Sequence, residues 1–267
     1  MGMRVISQRS DDWVSNSYLV VDPSTNHAAF IDCGEPIDHL LAVIASEELT
    51  LERVLLTHHH GDHITGLGHI LELYPGTPVQ AHPLEAQEMM GVSQTILPGD
   101  LTGIGNLEVI ALHSPGHTAG MLNFVVREAA GDRDGGPDHV FTGDTLFRGS
   151  VGGVRGPGHT TLEDLQHSVL EVLLGLPPET IVEPGHEEPT TIGEQAAENP
   201  FVQVWRGAAP EGTGLATVLP PGQPAELART ATLVVWARDY DGGHKAHVRY
   251  LDDGTEDLVP GSWVAPA

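Results

Sequence analysis

The residue types that could do chemistry are concentrated in one short run, Thr57-His58-His59-His60-Gly61-Asp62-His63. The run follows the apolar residues 54–56, a pattern typical of a buried strand. Side chains at positions i and i+2 of an extended segment point the same way, so His58 and His60 can reach one metal ion. The acid and the histidine beyond the bend can reach a second ion beside it. Two divalent ions held side by side are used by proteins for hydrolysis.

Three further segments have the same construction, an apolar strand followed by a turn that carries one His or Asp. They are Leu107–Leu112 followed by Ser114-Pro115-Gly116-His117-Thr118, His139–Phe141 followed by Thr142-Gly143-Asp144-Thr145, and Thr180–Val182 followed by Pro184-Gly185-His186. A glycine before each ligand-type residue lets the backbone turn tightly at the end of the strand. The four segments can therefore deliver their polar side chains to one place.

Seven candidate ligands divide between two ions. We predict that His58, His60 and His117 bind one ion, that Asp62, His63 and His186 bind the other, and that Asp144 bridges them. A carboxylate suits the bridge because it has two oxygens, whereas a neutral imidazole offers one lone pair. We exclude His59, since alternation along the extended segment directs it away from its two neighbours.

The order of these motifs, T-H-x-H-x-D-H, S-P-G-H-T, F-T-G-D-T-L-F and P-G-H, resembles the metallo-β-lactamase superfamily. Within it, the chain is most similar to the glyoxalase II-like (hydroxyacylglutathione hydrolase-like) thioester hydrolases. The runs Gly143–Gly152, Thr190–Glu194 and Asn199-Pro200-Phe201 favour the stand-alone bacterial branch. The resemblance covers residues 3–205. It implies an α/β (α+β) fold, a four-layer αββα sandwich with the metals in a cleft at one edge between the sheets.

The composition changes after residue 205. We predict a catalytic domain over residues 1–205, a Gly/Pro/Ala-rich linker or surface loop over 206–224, and a small β-rich C-terminal module over 225–267. Two strands, Thr230–Tyr240 and His244–Leu251, and a third ending near Asp257–Trp263 would make a meander. Such a module is too small to be stable alone, so we expect it to pack against the catalytic domain. It could line the substrate cleft, form a dimer contact, or only stabilise the fold.

Apolar periodicity predicts the other elements of the sandwich. Strands are expected at Met3–Ser7, Ser17–Val21, Ala28–Asp32, Arg53–Leu56 and Pro78–His82, and helices at Ile37–Ser46, Gly66–Tyr74, Leu84–Met90 and Leu162–Leu174, the last capped by Thr160 or Thr161. Met121–Arg127 and His139–Thr142 should form a hairpin whose loop contains Gly131–Gly136. The alternation of these elements matches the expected layers.

Charge and composition limit the kinds of molecule that the protein is expected to bind. The net charge is −25 and Lys245 is the sole lysine, which argues against nucleic acid, because phosphate binding needs clustered cations. No apolar stretch approaches the ~18 residues of a membrane span, and no signal peptide pattern is present. Cys33 is the only cysteine, so no intrachain disulfide forms. We expect a cytoplasmic enzyme that acts on a small molecule, without a membrane partner and with a homodimer as one option.

The ligand set also predicts the mechanism. Two divalent ions lower the pKa of a shared water to about 7, and the resulting hydroxide attacks a carbonyl. Asp62 and Asp144 would accept the proton. Asp32 and Thr118 would hold the metal-bound imidazoles, because such rings donate their other N–H to an oxygen. Histidine nitrogens with two carboxylates suit zinc, and iron or manganese fit the same ligands.

Substrate identity depends on the resemblance, which implies a thioester of a small hydroxy acid. The chain departs from the glutathione enzymes at Gly153, where they carry a basic residue, and Arg155 is a candidate substitute. The helical region that binds glutathione in those enzymes is replaced by the β-like tail. Two alternatives stay open. A persulfide dioxygenase would use one iron held by His58, His117 and Asp144, and a lactonase would use all seven ligands.

Overall fold

Two six-stranded sheets form the centre of the computed structural model, which describes residues 2–129 and 136–266. The first sheet contains, in spatial order, β1 (Arg4–Arg9), β2 (Asn16–Asp22), β3 (His27–Ile31), β4 (Thr50–Leu55), β5 (Val79–Ala81) and β6 (Gln94–Thr95). Strands β1 to β3 pair antiparallel, and β3 to β6 pair parallel. The five strands predicted for this region are therefore confirmed, with ends shifted by up to three residues.

The second sheet is mostly antiparallel. The strands that follow along the chain are β7 (Leu101–Ile104), β8 (Leu107–His113), β9 (Leu122–Glu128), β10 (His139–Gly143), β11 (Leu146–Phe147), β12 (Ser150–Val151), β13 (Ile181–Pro184) and β14 (Thr190–Thr191). The sheet order is β14-β13-β10-β9-β8-β7, while β11 and β12 pair separately. Strands β9 and β10 form the predicted antiparallel pair. Residues 130–135, which include most of the predicted loop, lie outside the described residues.

Seven helices connect and cover the sheets in the described ranges. They are α1 (Asp38–Ser46), α2 (Gly61–Ile64), α3 (Leu67–Leu73), α4 (Pro83–Ala86), α5 (Leu162–His167), α6 (Ile192–Glu198) and α7 (Pro200–Trp205). The Thr161 hydroxyl caps α5 by accepting from the Asp164 N–H. The predicted helix Leu162–Leu174 is present, and its second half, Ser168–Leu173, is π-helical rather than α-helical. The predicted helix Leu84–Met90 is only the short turn Pro83–Ala86.

Three apolar layers confirm the αββα sandwich. Between the sheets, Val20 and Ile31 pack with Val109 and Phe124. On the outer face of the first sheet, Phe30 packs with Leu40 of α1 and Ile70 of α3. On the outer face of the second sheet, Val140 packs with Leu165 of α5 and Phe201 of α7. No helix within residues 2–129 and 136–266 is long and apolar enough to cross a membrane.

The C-terminal region forms a third, antiparallel sheet. Its strands are β15 (Gly214–Val218), β16 (Arg229–Arg238), β17 (His244–Tyr250), β18 (Glu256–Pro260) and β19 (Val264–Pro266), in the order β18-β17-β16-β15-β19. The predicted three-stranded meander is present as β16, β17 and β18, and two strands that were not predicted, β15 and β19, extend it to a five-stranded sheet. The segment 206–224, predicted as a linker or surface loop, contributes one of them. The sheet packs on the catalytic region through Val235 and Leu258, which join the α5 and α7 layer.

Candidate metal centre

The histidine-rich run connects β4 to α2. Strand β4 ends at Leu55, and His60 has an extended backbone (φ −65°, ψ 143°) immediately before α2 begins at Gly61. Asp62 and His63 then lie on the first turn of α2. The change from extended to helical backbone turns these two side chains toward a different point from that of the histidines before Gly61.

The other ligand candidates follow strands of the second sheet that run in one direction. Strands β8 and β10 each pair antiparallel with β9, and β13 pairs parallel with β10. Their carboxyl ends therefore meet at one edge of the sheet, where His117, Asp144 and His186 follow. Position 185, just before His186, requires glycine, because a Cβ there would lie 2.4 Å from Asp144 Oδ1.

The structure brings all seven predicted ligands together. His58, His60 and His117 form one group, and Asp62, His63 and His186 form another, with the ligand atoms of each group within 4.8 Å of one another. Asp144 lies between the groups. Its Oδ1 is 3.2 Å from His63 Nε2 and 3.5 Å from His186 Nε2, and its Oδ2 is 3.3 Å from His117 Nε2. One carboxylate thus faces both groups, as a bridging ligand would.

Each imidazole is held by one ring nitrogen and presents the other to the cluster. The anchoring contacts are His58 Nδ1 to Thr57 Oγ1 (3.0 Å), His60 Nε2 to the Pro157 carbonyl (3.0 Å), His63 Nδ1 to Asp32 Oδ2 (2.9 Å), His117 Nδ1 to the Gly153 carbonyl (2.8 Å) and His186 Nδ1 to the Val14 carbonyl (3.0 Å). A carbonyl or carboxylate oxygen only accepts, and the Thr57 hydroxyl donates its own proton to Asp32, so each anchoring nitrogen carries a proton. The other nitrogen of each neutral ring keeps its lone pair for a metal ion.

Buried atoms without partners indicate that the cluster fits metal ions. His58 Nε2, His63 Nε2 and Asp144 Oδ1 are buried and have no hydrogen-bond partner. A buried polar atom without a partner is costly, so such atoms in one place call for an explanation. Nitrogen and carboxylate donors arranged in two groups around one shared carboxylate match the donor sets of divalent ions.

The electrostatic state of the cluster also suits cation binding. Burial, reinforced by the His63 charge, holds the pKa of His58 well below its usual value. Burial lowers the pKa of His117 to about 4. Burial also opposes ionisation of Asp144, but His186, His63 and His117 outweigh it and hold the pKa of that carboxyl well below normal. At neutral pH the cluster therefore contains an anionic bridge and two imidazoles that are free to act as ligands.

His63 differs from the other histidines because it contacts two carboxylates. Burial alone would lower the pKa of His63, but Asp144 and Asp32 raise it well above the usual value. Asp32 also accepts from the Thr57 N–H and the Thr57 hydroxyl, both at 2.8 Å. The predicted supporting role of Asp32 thus has a direct contact in the structure.

Two expectations about neighbouring residues need correction. The Thr118 hydroxyl contacts Met121 Sδ at 3.8 Å rather than a ligand histidine, because carbonyl oxygens already occupy the anchoring nitrogens. Arg155, the candidate substitute for a glutathione-binding cation, instead pairs with Asp257 and lies 4.7 Å from the centre of the Trp263 ring. His59, as expected, belongs to neither ligand group; its Nδ1 contacts Glu85, and its ring meets the His60 ring edge-on.

Tyr240 is a residue of the site that sequence reasoning missed. It lies between β16 and β17, and its ring stacks on that of His186 with centroids 4.0 Å apart. Burial, with the nearby Asp144 and Asp239 carboxylates, raises the pKa of Tyr240, so the hydroxyl keeps its proton. No local motif marks this tyrosine, because 54 positions along the chain separate it from His186 and only the packing of the third sheet brings them together.

Comparison with known proteins identifies similar sequences and structures. A family model for the metallo-β-lactamase superfamily matches residues 10–186. The cytoplasmic hydroxyacylglutathione hydrolase of Arabidopsis thaliana is 34% identical over 172 residues, which cover 64% of this chain and 63% of the plant enzyme. This chain thus matches less than two thirds of that relative.

Two solved structures are also similar. ETHE1 from Myxococcus xanthus is 28% identical with a TM-score of 0.64, covering 77% of this chain and 91% of that one. TTHA1623 in a di-iron-bound form is 32% identical with a TM-score of 0.61, covering 73% of this chain and 99% of that one. The remainder of this chain therefore has no counterpart in the second structure.

Proposed function

Because this chain belongs to the metallo-β-lactamase superfamily and is a metal-dependent hydrolase, we propose that it cleaves a thioester of a small 2-hydroxy acid. The observation that carries the proposal is the pair of three-ligand groups joined by Asp144. The similarity to a hydroxyacylglutathione hydrolase supports thioesters as the substrate class.

In the proposed enzyme, the two groups would hold two divalent ions. His58, His60 and His117 would hold one, Asp62, His63 and His186 the other, and Asp144 both. When bound, such ions supply a nucleophile from water at neutral pH and polarise the substrate carbonyl. The anchoring oxygens of Thr57, Pro157, Asp32, Gly153 and Val14 keep the ligand rings oriented, because each of them fixes one tautomer.

Asp62 and Asp144 are the two carboxylates that could accept the proton of the attacking water. Asp62 Oδ2 lies 3.5 Å from His63 Nε2 and 3.6 Å from His186 Nε2, and its side chain is 19% exposed. In the reaction, the water oxygen bonds to the thioester carbon, the C–S bond breaks, and the sulfur leaves as a thiol with one proton. Asp62, which solvent can reach, is the better proton carrier, while buried Asp144 holds the bridge.

Zinc is the metal that we propose, since imidazole nitrogens dominate the donor set. Iron and manganese suit the same donors. The similarity to TTHA1623, which was solved with two irons, supports iron as the competing choice.

Persulfide dioxygenation is a second candidate, favoured by the similarity to ETHE1 from Myxococcus xanthus. It would require a single iron held by His58, His117 and Asp144, and it would consume dioxygen. The presence of Asp62, His63 and His186 around a second point favours hydrolysis, because one iron leaves that group without a role.

Metal analysis and two assays distinguish the candidates. Protein purified without added metal is measured for zinc, iron and manganese, then given the 2-hydroxypropionyl thioesters of several thiols, with release of free thiol as the readout. The same samples are given a persulfide while dioxygen uptake is followed. We expect two metal ions per chain and thiol release. One iron per chain with dioxygen uptake and no thiol release would contradict the proposal.

Cellular location and assembly are separate proposals. Cys33, the only cysteine, is buried and free, which fits a reducing compartment, and the plant relative is named cytoplasmic. We therefore place the protein in the cytoplasm. The expected homodimer stays a prediction, which light scattering on the purified protein would test.

A further inference from the structure

A cavity of about 260 Å³ adjoins the candidate metal centre and is lined by two different parts of the chain. His117 and Asp144 line it on the side of the metal centre. Tyr240, Asp241, Lys245 and Ser262, all from the C-terminal sheet, line it on the other side. We call this cavity the outer pocket. A substrate whose carbonyl reaches the ligand groups would extend its leaving group into this space.

The turn between β16 and β17 is fixed against the metal centre by aromatic contacts. The Tyr240 ring stacks on His186 and meets Phe147 edge-on, with the Phe147 centroid 5.2 Å away. The Asp239 carboxylate accepts from the Ser150 hydroxyl at 2.9 Å. These contacts hold the turn in position, so the outer pocket has a defined shape rather than a loose border.

On the side away from the metal centre, the charges that line the outer pocket are unfavourable for an anionic leaving group. Lys245 is 6% exposed, its ammonium lies 3.0 Å from Asp239, and it also donates to the Val151 carbonyl. The charge of this single lysine is thus compensated by Asp239. Asp241 has no cation partner among the described contacts, and its Oδ1 accepts only from the Gly243 N–H at 2.7 Å.

Arg155 cannot supply the missing cation. It follows Gly153, which lines the outer pocket, but its guanidinium pairs with Asp257 and stacks over Trp263. Both partners belong to the C-terminal sheet and lie outside the outer pocket. On the side of the outer pocket formed by the β16–β17 turn, the surplus charge is therefore negative, because Lys245 offsets Asp239 and no cation in the described residues pairs with Asp241.

We propose that the turn between β16 and β17 selects thioesters whose thiol has no carboxylates and carries neutral hydrogen-bond donors such as hydroxyl or amide groups. This inference rests on the proposed thioester hydrolysis and names the substrate class of that site. Glutathione, with two carboxylates, is disfavoured because its anionic groups would approach Asp241, whose charge is not offset by a cation in the described residues. Neutral donors would instead find an acceptor in the same carboxylate.

The test compares matched thioesters of one acid. The 2-hydroxypropionyl thioesters of glutathione, N-acetylcysteamine and 1-thioglycerol differ only in the thiol, and kcat/KM is measured for each on the full-length, metal-loaded protein. We expect the two neutral thiols to exceed glutathione by about tenfold at low salt. Because ionic strength screens exposed charges, the ratio should shrink as salt is raised.

A charge-neutral substitution locates the effect. Asp241→Asn keeps an oxygen that can accept from the Gly243 N–H, and it should raise kcat/KM for the glutathione thioester about fivefold, with little change for the neutral ones. Asp100→Asn is the matched control. Asp100 is also exposed and accepts from a backbone N–H (Leu97, 2.7 Å), but it lies away from the outer pocket, so its replacement should change neither value.

Binding supplies a readout that does not depend on turnover. S-methylglutathione and S-methyl-N-acetylcysteamine cannot be hydrolysed, and calorimetry measures their affinities for the same proteins. We expect tighter binding of the neutral thioether, with a difference that Asp241→Asn reduces.

The outcomes separate this inference from the proposed function. Release of no thiol from any thioester would remove the proposed function itself. Thiol release with a preference for glutathione, lost in Lys245→Gln, would overturn only the inference, because it would show that Lys245 binds a substrate carboxylate.

Discussion

The metal centre and the C-terminal sheet both carry many charged side chains, and they arrange them in opposite ways. In the metal centre, Asp144 faces three imidazoles at 3.2–3.5 Å, and its Oδ1 has no hydrogen-bond partner. In the C-terminal sheet, Arg249 makes ion pairs of 2.7 Å with Glu211 and 2.6 Å with Glu256. In the described part of that sheet, no buried side-chain nitrogen or oxygen lacks a partner.

This difference separates two uses of charge. Paired charges at the surface contribute little to stability, since the Arg249 side chain is 38% exposed and water screens its interactions. Buried atoms without partners cost stability, and a fold retains them where a ligand completes them. Changes in the metal centre should therefore alter metal content and turnover, whereas changes in the C-terminal sheet should alter stability or substrate choice.

The largest effect is expected from Asp144→Asn, which keeps the shape of the bridge and removes its charge. Two dications held close together need that negative charge, so we expect loss of both ions and a fall in turnover of more than about 100-fold, beyond what loss of a supporting group costs. Metal content by mass spectrometry and thiol release measure the two effects. A variant that stays active with two bound metals would remove the bridge from the mechanism.

His58→Ala should lose mainly the ion of its own group, with a fall in turnover of about 100-fold. His59→Gln is the matched control, because His59 is the neighbour in sequence but contacts Glu85 rather than the cluster. It should retain both metal content and activity. Equal metal loss in the two variants would contradict the assignment of His58 as a ligand and His59 as a non-ligand.

The sequence was informative about the metal centre because each ligand lies within a few residues of a strand end. His117 and His186 each follow a strand and a glycine directly along the chain. Such a local unit of strand, glycine and ligand can be recognised without knowing the fold. The anchoring carbonyls of Val14, Gly153 and Pro157 could not be found in this way. Every residue has a backbone carbonyl, so the residue type does not indicate which carbonyls anchor a ligand imidazole.

The C-terminal sheet shows where periodicity fails. Strands β16 and β17 have long alternating patterns and were predicted nearly to their ends. Strand β15 lies in a Gly/Pro/Ala-rich stretch with only Ala216 and Val218 buried. It is a strand because β16 and β19 pair with it on either side. This pairing depends on the tertiary fold and cannot be predicted from the local sequence.

Leu258→Ala tests whether a change in the C-terminal sheet alters stability without altering the metal centre. Leu258 is 2% exposed and packs in the layer that contains Leu165 and Phe201. Truncating a buried leucine leaves a cavity and costs about 2–5 kcal/mol of unfolding free energy. Denaturant titration measures the loss. Because the metal ligands lie elsewhere, metal content below the unfolding transition should be unchanged. Reduced metal content in the folded variant would contradict the division between the two regions.

The smallest expected effect belongs to Asp32→Asn, which tests the support beneath the metal centre. Asp32 has a left-handed backbone (φ +54°), and asparagine tolerates that conformation, so the substitution adds no backbone strain. An amide oxygen at the Oδ1 position can still accept from the Thr57 N–H, but the amide nitrogen at the Oδ2 position cannot accept from the His63 N–H. We expect metal affinity to fall about 10–100-fold. Competition with a chelator measures that affinity. Loss should be greatest for the ion of the Asp62, His63 and His186 group, because Asp32 anchors His63 directly and reaches His58 only through the Thr57 hydroxyl. Equal weakening of both ions would mean that Asp32 acts on the whole turn, through Thr57, rather than on one ring.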